Sequence, residues 1–149
     1  MPDPRAVEAF DSKIAEGFLK ANEKLQGLPA FLGVRFTGFQ PGLLRAELEV
    51  RDELLTPFKN LYGGVLSAVC DHVLGCVCYP HMKRGQWAAT TEFKLNLLAP
   101  VTKGRVSVEA EIVSLTRATA VVRIQVENEG RLAAIAQGTV LIRDPRPSS

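Results

Sequence analysis

The sequence lacks several features that would assign it quickly. No apolar leader opens the chain: "MPDPRAVEAFDSK" mixes acids and prolines where a secretion signal needs an apolar core, so no signal peptide is predicted. Charge imbalance is small, a formal +2 from 18 basic and 16 acidic residues, which gives no footing for nucleic acid as a partner. Internal repeats, an interdomain linker and a Cys-x-x-Cys pair are all missing. The three cysteines, Cys70, Cys76 and Cys78, are odd in number. They fit reduced thiols in a cytoplasmic protein better than a disulfide frame. With His72 and His81 they look superficially like a metal cluster. On a helix turning about 100° per residue, however, Cys70 and Cys78 lie far from His72 and Cys76. No metal and no cofactor is expected, and the thiols read as small core residues.

What is present is an ordinary globular balance. The chain has 149 residues, 46% apolar and 23% charged, which predicts one domain, residues 1–149, with a modest core. Residues 61–79 are nearly long enough to cross a bilayer. Asp71 and His72 at the centre make that costly, so no membrane span is expected.

Apolar spacing near 3.6 at Val7, Phe10, Ile14, Phe18 and Leu25 predicts an amphipathic helix over residues 4–26, ended by Gly27 and Pro29. "FLGVRFTGF" and "LLRAELEV" alternate around the turn "QPG" and predict a hairpin of half-buried strands. A polar loop, "RDELLTPFKN", leads to a long apolar helix over 64–78, and "MKRGQ" is a turn. Four strands follow between Trp87 and Arg143, with Gly130 supplying a positive φ in the turn "ENEGR"; residues 144–149 read as a frayed tail. The class is α+β: a curved antiparallel sheet wrapped around one central apolar helix, plus an N-terminal helix. Such a sheet leaves edges to cover, so a homodimer or a dimer of dimers is expected.

One acid sits inside the apolar helix. Stepping by three or four from Gly64 reaches Ser67 and Ala68, then Asp71, then Gly75, a stripe of small residues. Val65, Val69, Val73 and Val77, or Leu66 and Leu74, occupy the other faces. Asp71 reads in two ways: a structural acid that caps a loop or pairs at a dimer interface, or the working carboxylate of an active site. The glycines favour the second. A helix starting at Gly63 and Gly64 presents free N–H groups with no side chain in the way, suited to an oxyanion.

From Phe31 to Arg143 the chain resembles the hotdog-fold acyl-CoA thioesterases of the phenylacetyl-CoA and 4-hydroxybenzoyl-CoA type. The resemblance is carried by Tyr62-Gly63-Gly64 with Asp71 eight residues after the first glycine, and by "TEFKLNLLAP" and "AAIAQGTV". It implies hydrolysis of an acyl-CoA to free acid and CoA. The Gly63 N–H would polarise the carbonyl, and Asp71, from the partner subunit, would act as nucleophile or base. Thr90 would orient water, though a strand threonine packed by its methyl is the plain alternative. Arg117 would approach the CoA phosphates, where the plain alternative is a solvated arginine. Tyr62 stands where the family has histidine, and Thr56 where many relatives have asparagine; Asn60 lies close enough to substitute for either. Phe58, Leu61 and Trp87 are candidates to line the acyl pocket. Two rivals remain: a dimer that binds acyl-CoA without turnover, and a hydratase or dehydratase. The latter needs a histidine beside an acid, and adjacent Asp71 and His72 point about 100° apart on a helix.

Overall fold

A computed structural model describes residues 1–147; Ser148 and Ser149, the end of the predicted tail, lie outside the described residues. Six strands, β1 (Arg35–Gln40), β2 (Leu43–Glu49), β3 (Trp87–Leu97), β4 (Arg105–Leu115), β5 (Thr119–Asn128) and β6 (Arg131–Arg143), form one sheet. Its order is β1-β2-β4-β5-β6-β3, antiparallel throughout.

The alternation read from the sequence sets which face is dry. β4 buries Val106, Val108, Ala110 and Ile112, and β5 buries Ala120, Val122, Ile124 and Val126. The opposite face carries ion pairs such as Arg45–Glu109 and Arg123–Glu111, each at 2.8 Å. Partly exposed pairs of this kind contribute about 0–1 kcal/mol, so they favour the register more than the stability.

The dry face curls around the helix α4 (Gly63–Cys76). Leu66, Val69, Cys70, Val73 and Leu74 of α4 are all buried, which turns an apolar stretch of membrane-spanning length into a core helix. Irregular registers between Phe36 and Gly38, Thr90 and Glu92, Ile112 and Ser114, and Val126 and Glu127 supply the bends. Each adds local twist to its strand. Beneath α4 the inner face of β6 is made small by Ala134, Ala136 and Gly138, which lets the helix sit close. This is the hotdog arrangement.

The N-terminal region departs from the single helix predicted for 4–26. It is broken into α1 (Pro4–Ala9) and α2 (Ser12–Ala21), followed by a 3-10 turn at Asn22–Lys24. Asp11 causes the break: its carboxylate accepts from the Lys13 and Ile14 N–H groups and starts a new helix. A further helix, α3 (Gly27–Leu32), replaces the predicted stop and the start of the first strand. Pro29 is compatible because it lies in the first turn, where N–H groups have no intrahelical acceptor, and Gly33 ends the helix at φ 76°. The tail is also less frayed than expected, since Asp144 accepts from Gln86 Nε2 at 2.8 Å.

The two sheet edges differ. Asn22 clasps β1, donating from Nδ2 to the Phe36 carbonyl at 2.7 Å and accepting from the Phe36 N–H at 2.9 Å. Phe18 of α2 packs beside it on Phe36 and Phe39. Among the described residues, β3, eleven residues long, pairs only with β6 and leaves its other edge open.

Gly138 tests the packing under α4. A Cβ there would stand 2.5 Å from Phe93 Cβ and 2.6 Å from the Glu92 carbonyl, where the β3 bulge crosses it. Gly138→Ala is expected to destabilise the fold by about 1–3 kcal/mol through overpacking. A shift of the urea midpoint to lower concentration checks this, and an unshifted midpoint contradicts the close approach.

Candidate active site

The start of α4 is held from both sides. The Leu61 N–H donates to the Val101 carbonyl at 2.6 Å and the Tyr62 N–H to the Leu54 carbonyl at 3.0 Å. Ahead of them the chain makes a tight loop in which the Thr56 N–H donates to the Asn60 carbonyl at 2.7 Å, with Lys59 at φ 64°. Thr56 Oγ1 accepts from the Phe58 N–H at 3.2 Å, so this hydroxyl is engaged in the turn. Asn60 is half-buried beside it.

Tyr62 occupies the N-cap position with extended backbone and makes no side-chain cap, and its ring is 60% exposed. The N–H groups of Gly63 and Gly64 find no acceptor among the described residues. A Cβ on Gly63 would lie 2.8 Å from Leu97 Cδ1, and one on Gly64 would lie 3.1 Å from the Tyr62 ring. Glycine therefore keeps these amides uncovered and lets β3 come close.

Asp71 is exposed and makes no hydrogen bond or ion pair among the described residues. Gly64, Ser67, Ala68 and Gly75 share its partly open stripe. Eight residues at about 1.5 Å each separate Gly63 from Asp71 by about 12 Å along the helix. Gly63 approaches Leu97, and a Cβ on Gly75 would lie 3.9 Å from Ala88 Cβ, so α4 runs opposite to β3. Interpolating along that pair sets Thr90, half-buried on the inner face of β3, abreast of the turn that carries Asp71.

The remaining candidates divide between the two ends of α4. Phe58 is exposed and Leu61 buried at the Gly63 end. Trp87 stands beside Ala88 at the Gly75 end. Arg117 is exposed on the β4–β5 turn, which Thr116 Oγ1 organises by accepting from the Ala118 and Thr119 N–H groups. The Ile142 N–H donates to the Ala118 carbonyl, and Ile142 pairs with Ala88, so Arg117 also belongs to the Gly75 end. One chain alone does not bring Gly63, Asp71 and Arg117 together.

His72 points away from Asp71. It stacks on Phe36 with ring centroids 5.2 Å apart and planes at 13°, and Nδ1 lies 3.8 Å from Cys76 Sγ. This geometry gives a hydratase no acid–histidine pair. Burial pushes all three thiols up to about 12, which leaves them protonated and inert.

Sequence reasoning missed the wall beside Gly64. Leu28, Phe31 and Leu32 of α3 face Val65 and Ala68 of α4 across a groove of about 290 Å³, also lined by Leu54 and Leu55. The usable signal was Pro29 with Gly33 four residues later, a helix start and stop rather than a stop alone.

Residues 58–135 match the family model of the thioesterase superfamily. The chain belongs to that superfamily. Thioester hydrolysis is therefore its class of activity. A 1,4-dihydroxy-2-naphthoyl-CoA hydrolase of Listeria monocytogenes is 25% identical over 121 residues, 80% of this chain and 98% of the relative. The proofreading thioesterase EntH of Klebsiella pneumoniae is 31% identical over 88 residues, 59% of this chain and 64% of its own length. The solved thioesterase HI1161 of Haemophilus influenzae shares the fold, with a TM-score of 0.82, 22% identity, and coverage of 87% of this chain and 92% of that one.

His72 gives this thioesterase a measurable pH response. Burial lowers its pKa below 6.5, against an opposing pull from Asp71, and its Nε2 is buried without a partner among the described residues. The unfolded chain therefore takes up protons before the folded one, so stability is full above pH 6.5 and falls as pH drops towards the folded value. The slope is at most about 1.4 kcal/mol per pH unit for one group. His72→Phe keeps the ring stack and is expected to flatten the decline in urea midpoint between about pH 7 and pH 5. An equally steep decline in that variant removes His72 from the account.

Proposed function

We propose that the protein hydrolyses an acyl-CoA thioester to the free acid and CoA, in a site shared between two subunits. The reading rests on one observation: uncovered amides at Gly63 and a free carboxylate at Asp71 lie on one helix, about 12 Å apart. That is too far for both to touch the same thioester carbon. The open edge of β3 supplies the remedy. Antiparallel pairing of two β3 strands turns one α4 end for end against the other. The Gly63 end of one subunit then faces the Gly75 end of its partner, which carries Asp71, Thr90 and Arg117.

The chemistry follows from that juxtaposition. The thioester oxygen accepts from the Gly63 N–H, which withdraws charge from the carbonyl carbon. The partner subunit's Asp71 either attacks that carbon or takes a proton from a water that does. Both routes place negative charge on the oxygen at Gly63, where the helix start stabilises it. Collapse expels the CoA thiolate. An anhydride formed at Asp71 is then opened by water, whereas the water route releases the acid directly. Thr90 orients the water, and the partner subunit's Arg117 meets the CoA phosphates, with Tyr62 and Asn60 bordering the thioester.

Gly63→Pro removes the N–H at a position suited to proline, since Tyr62 at ψ 129° already has the backbone a following proline needs. Its Cβ requires the Leu97 side chain, 2.8 Å away, to shift, so Gly63→Ala, which adds the same Cβ and keeps the N–H, is the control. Gly63→Pro is expected to lower kcat by roughly 10²–10³. Asp71→Asn is expected to lower kcat by roughly 10²–10⁴, with binding of a non-hydrolysable acyl-CoA retained. Co-expressing the two variants should restore about a quarter of the sites, because half of the dimers are mixed and each holds one intact pair. Thioester cleavage followed with a thiol-reactive dye reads all three. No recovery in proven mixed dimers would refute the shared site, and full turnover by Asp71→Asn would end its catalytic role.

Arg117→Ala is expected to raise KM for acyl-CoA severalfold with little change in kcat, as lost ground-state binding of phosphate requires. An unchanged KM returns Arg117 to the solvated surface.

A further inference from the structure

We propose that the groove between α3 and the first two turns of α4 seats the acyl half of the substrate, and that Arg51 is a positioning residue that holds its outer wall. This rests on the function proposed above, because the groove opens at Gly64, next to the Gly63 amide.

The groove is a built apolar slot. Val65 and Ala68 form its floor, and Leu54 and Leu55 line it at the Tyr62 end, where the Leu54 carbonyl accepts from the Tyr62 N–H. Leu28 and Phe31 stand over it 56% and 60% exposed, although they belong to a helix whose Leu32 is buried. Two large apolar side chains held at a slot mark a binding surface rather than surplus core.

Arg51 accounts for how Phe31 is held. Its Nη2 donates to the Phe31 carbonyl, its guanidinium lies 5.1 Å from the Phe31 ring centroid, and Nε lies 3.7 Å from Glu53. One side chain thus fixes both the end of α3 and the face of the ring.

Size and charge define the occupant. At about 290 Å³ the slot is at the small end of ligand sites, which run from about 300 Å³ upward. It has room for an acyl group and not for the nucleotide of CoA. The lining is apolar, and the one charge at the rim is the Glu53 carboxylate beside its Arg51 partner. A neutral apolar acyl group of medium size fits. An acyl group ending in a carboxylate would be desolvated against Glu53.

The test compares acetyl-, hexanoyl- and succinyl-CoA in the wild type, Ala68→Leu and Arg51→Ala, with S-hexyl-CoA as a binding probe by calorimetry. In the wild type kcat/KM should rise by up to roughly fourfold for each methylene buried between acetyl and hexanoyl, with succinyl-CoA disfavoured. Ala68→Leu fills the floor and should cut the hexanoyl-to-acetyl ratio, and the advantage of S-hexyl-CoA over CoA in affinity, by about tenfold. Arg51→Ala should raise KM for hexanoyl-CoA with kcat held, and Arg51→Lys should recover part of the loss. Turnover with an unmoved ratio in Ala68→Leu overturns the groove while leaving the hydrolysis intact. S-hexyl-CoA binding no better than CoA overturns the groove whatever the turnover. Tighter S-hexyl-CoA binding that Ala68→Leu abolishes, in a protein that cleaves none of the three thioesters, keeps the groove and removes the hydrolysis. A changed sedimentation mass in Ala68→Leu without a changed ratio makes the slot a seat for a second copy and overturns the proposal.

Discussion

Everything in this molecule follows from having to enclose α4. A fourteen-residue helix with apolar side chains on most of its circumference cannot lie on a flat sheet, because only one side would be covered. The sheet must bend, and strand irregularities in β1, β3, β4 and β5 or their partners accommodate that bend. The small residues of β6 set how closely the helix approaches. What escapes enclosure is the narrow stripe from Gly64 to Gly75, which carries Asp71. In the function proposed above, the reacting groups are placed by the same requirement that forms the core.

How much of this could be read in advance depended on whether the deciding contact was local. Alternation along β4 and β5 records burial on one face directly, and the apolar density of α4 announces a core helix. The place of Asp71 on an open stripe was legible because a carboxylate among small residues is anomalous on an apolar helix. The division of residues 4–26 was not, because Asp11 interrupts the amphipathic pattern without disturbing its spacing. α3 escaped because a proline can open a helix as readily as it can end one, and only the packing of Leu32 distinguishes the two. The allocation of Arg117 and Trp87 to the Gly75 end required the pairing of β3 with β6, a relation between residues far apart in the chain.

In the function proposed above, backbone and side chain divide the duties. At the helix start the useful groups are amides, fixed by bonds to Leu54 and Val101, and side chains there would only obstruct. Two turns on, the useful group is a carboxylate, exposed and without a hydrogen-bond partner among the described residues. Tyr62, in the place usually held by histidine in the family it resembles, alters the rim and leaves both of these features in place.

The Asn22 clasp reaches beyond the N-terminal helices it ends. By occupying the Phe36 N–H and carbonyl it stops β1 from accepting another strand there, while β3 stays open. A sheet with two open sides can add copies of itself without limit and become a fibre. With Phe36 occupied, another strand cannot pair at that point of β1, and a single amide side chain works against such growth.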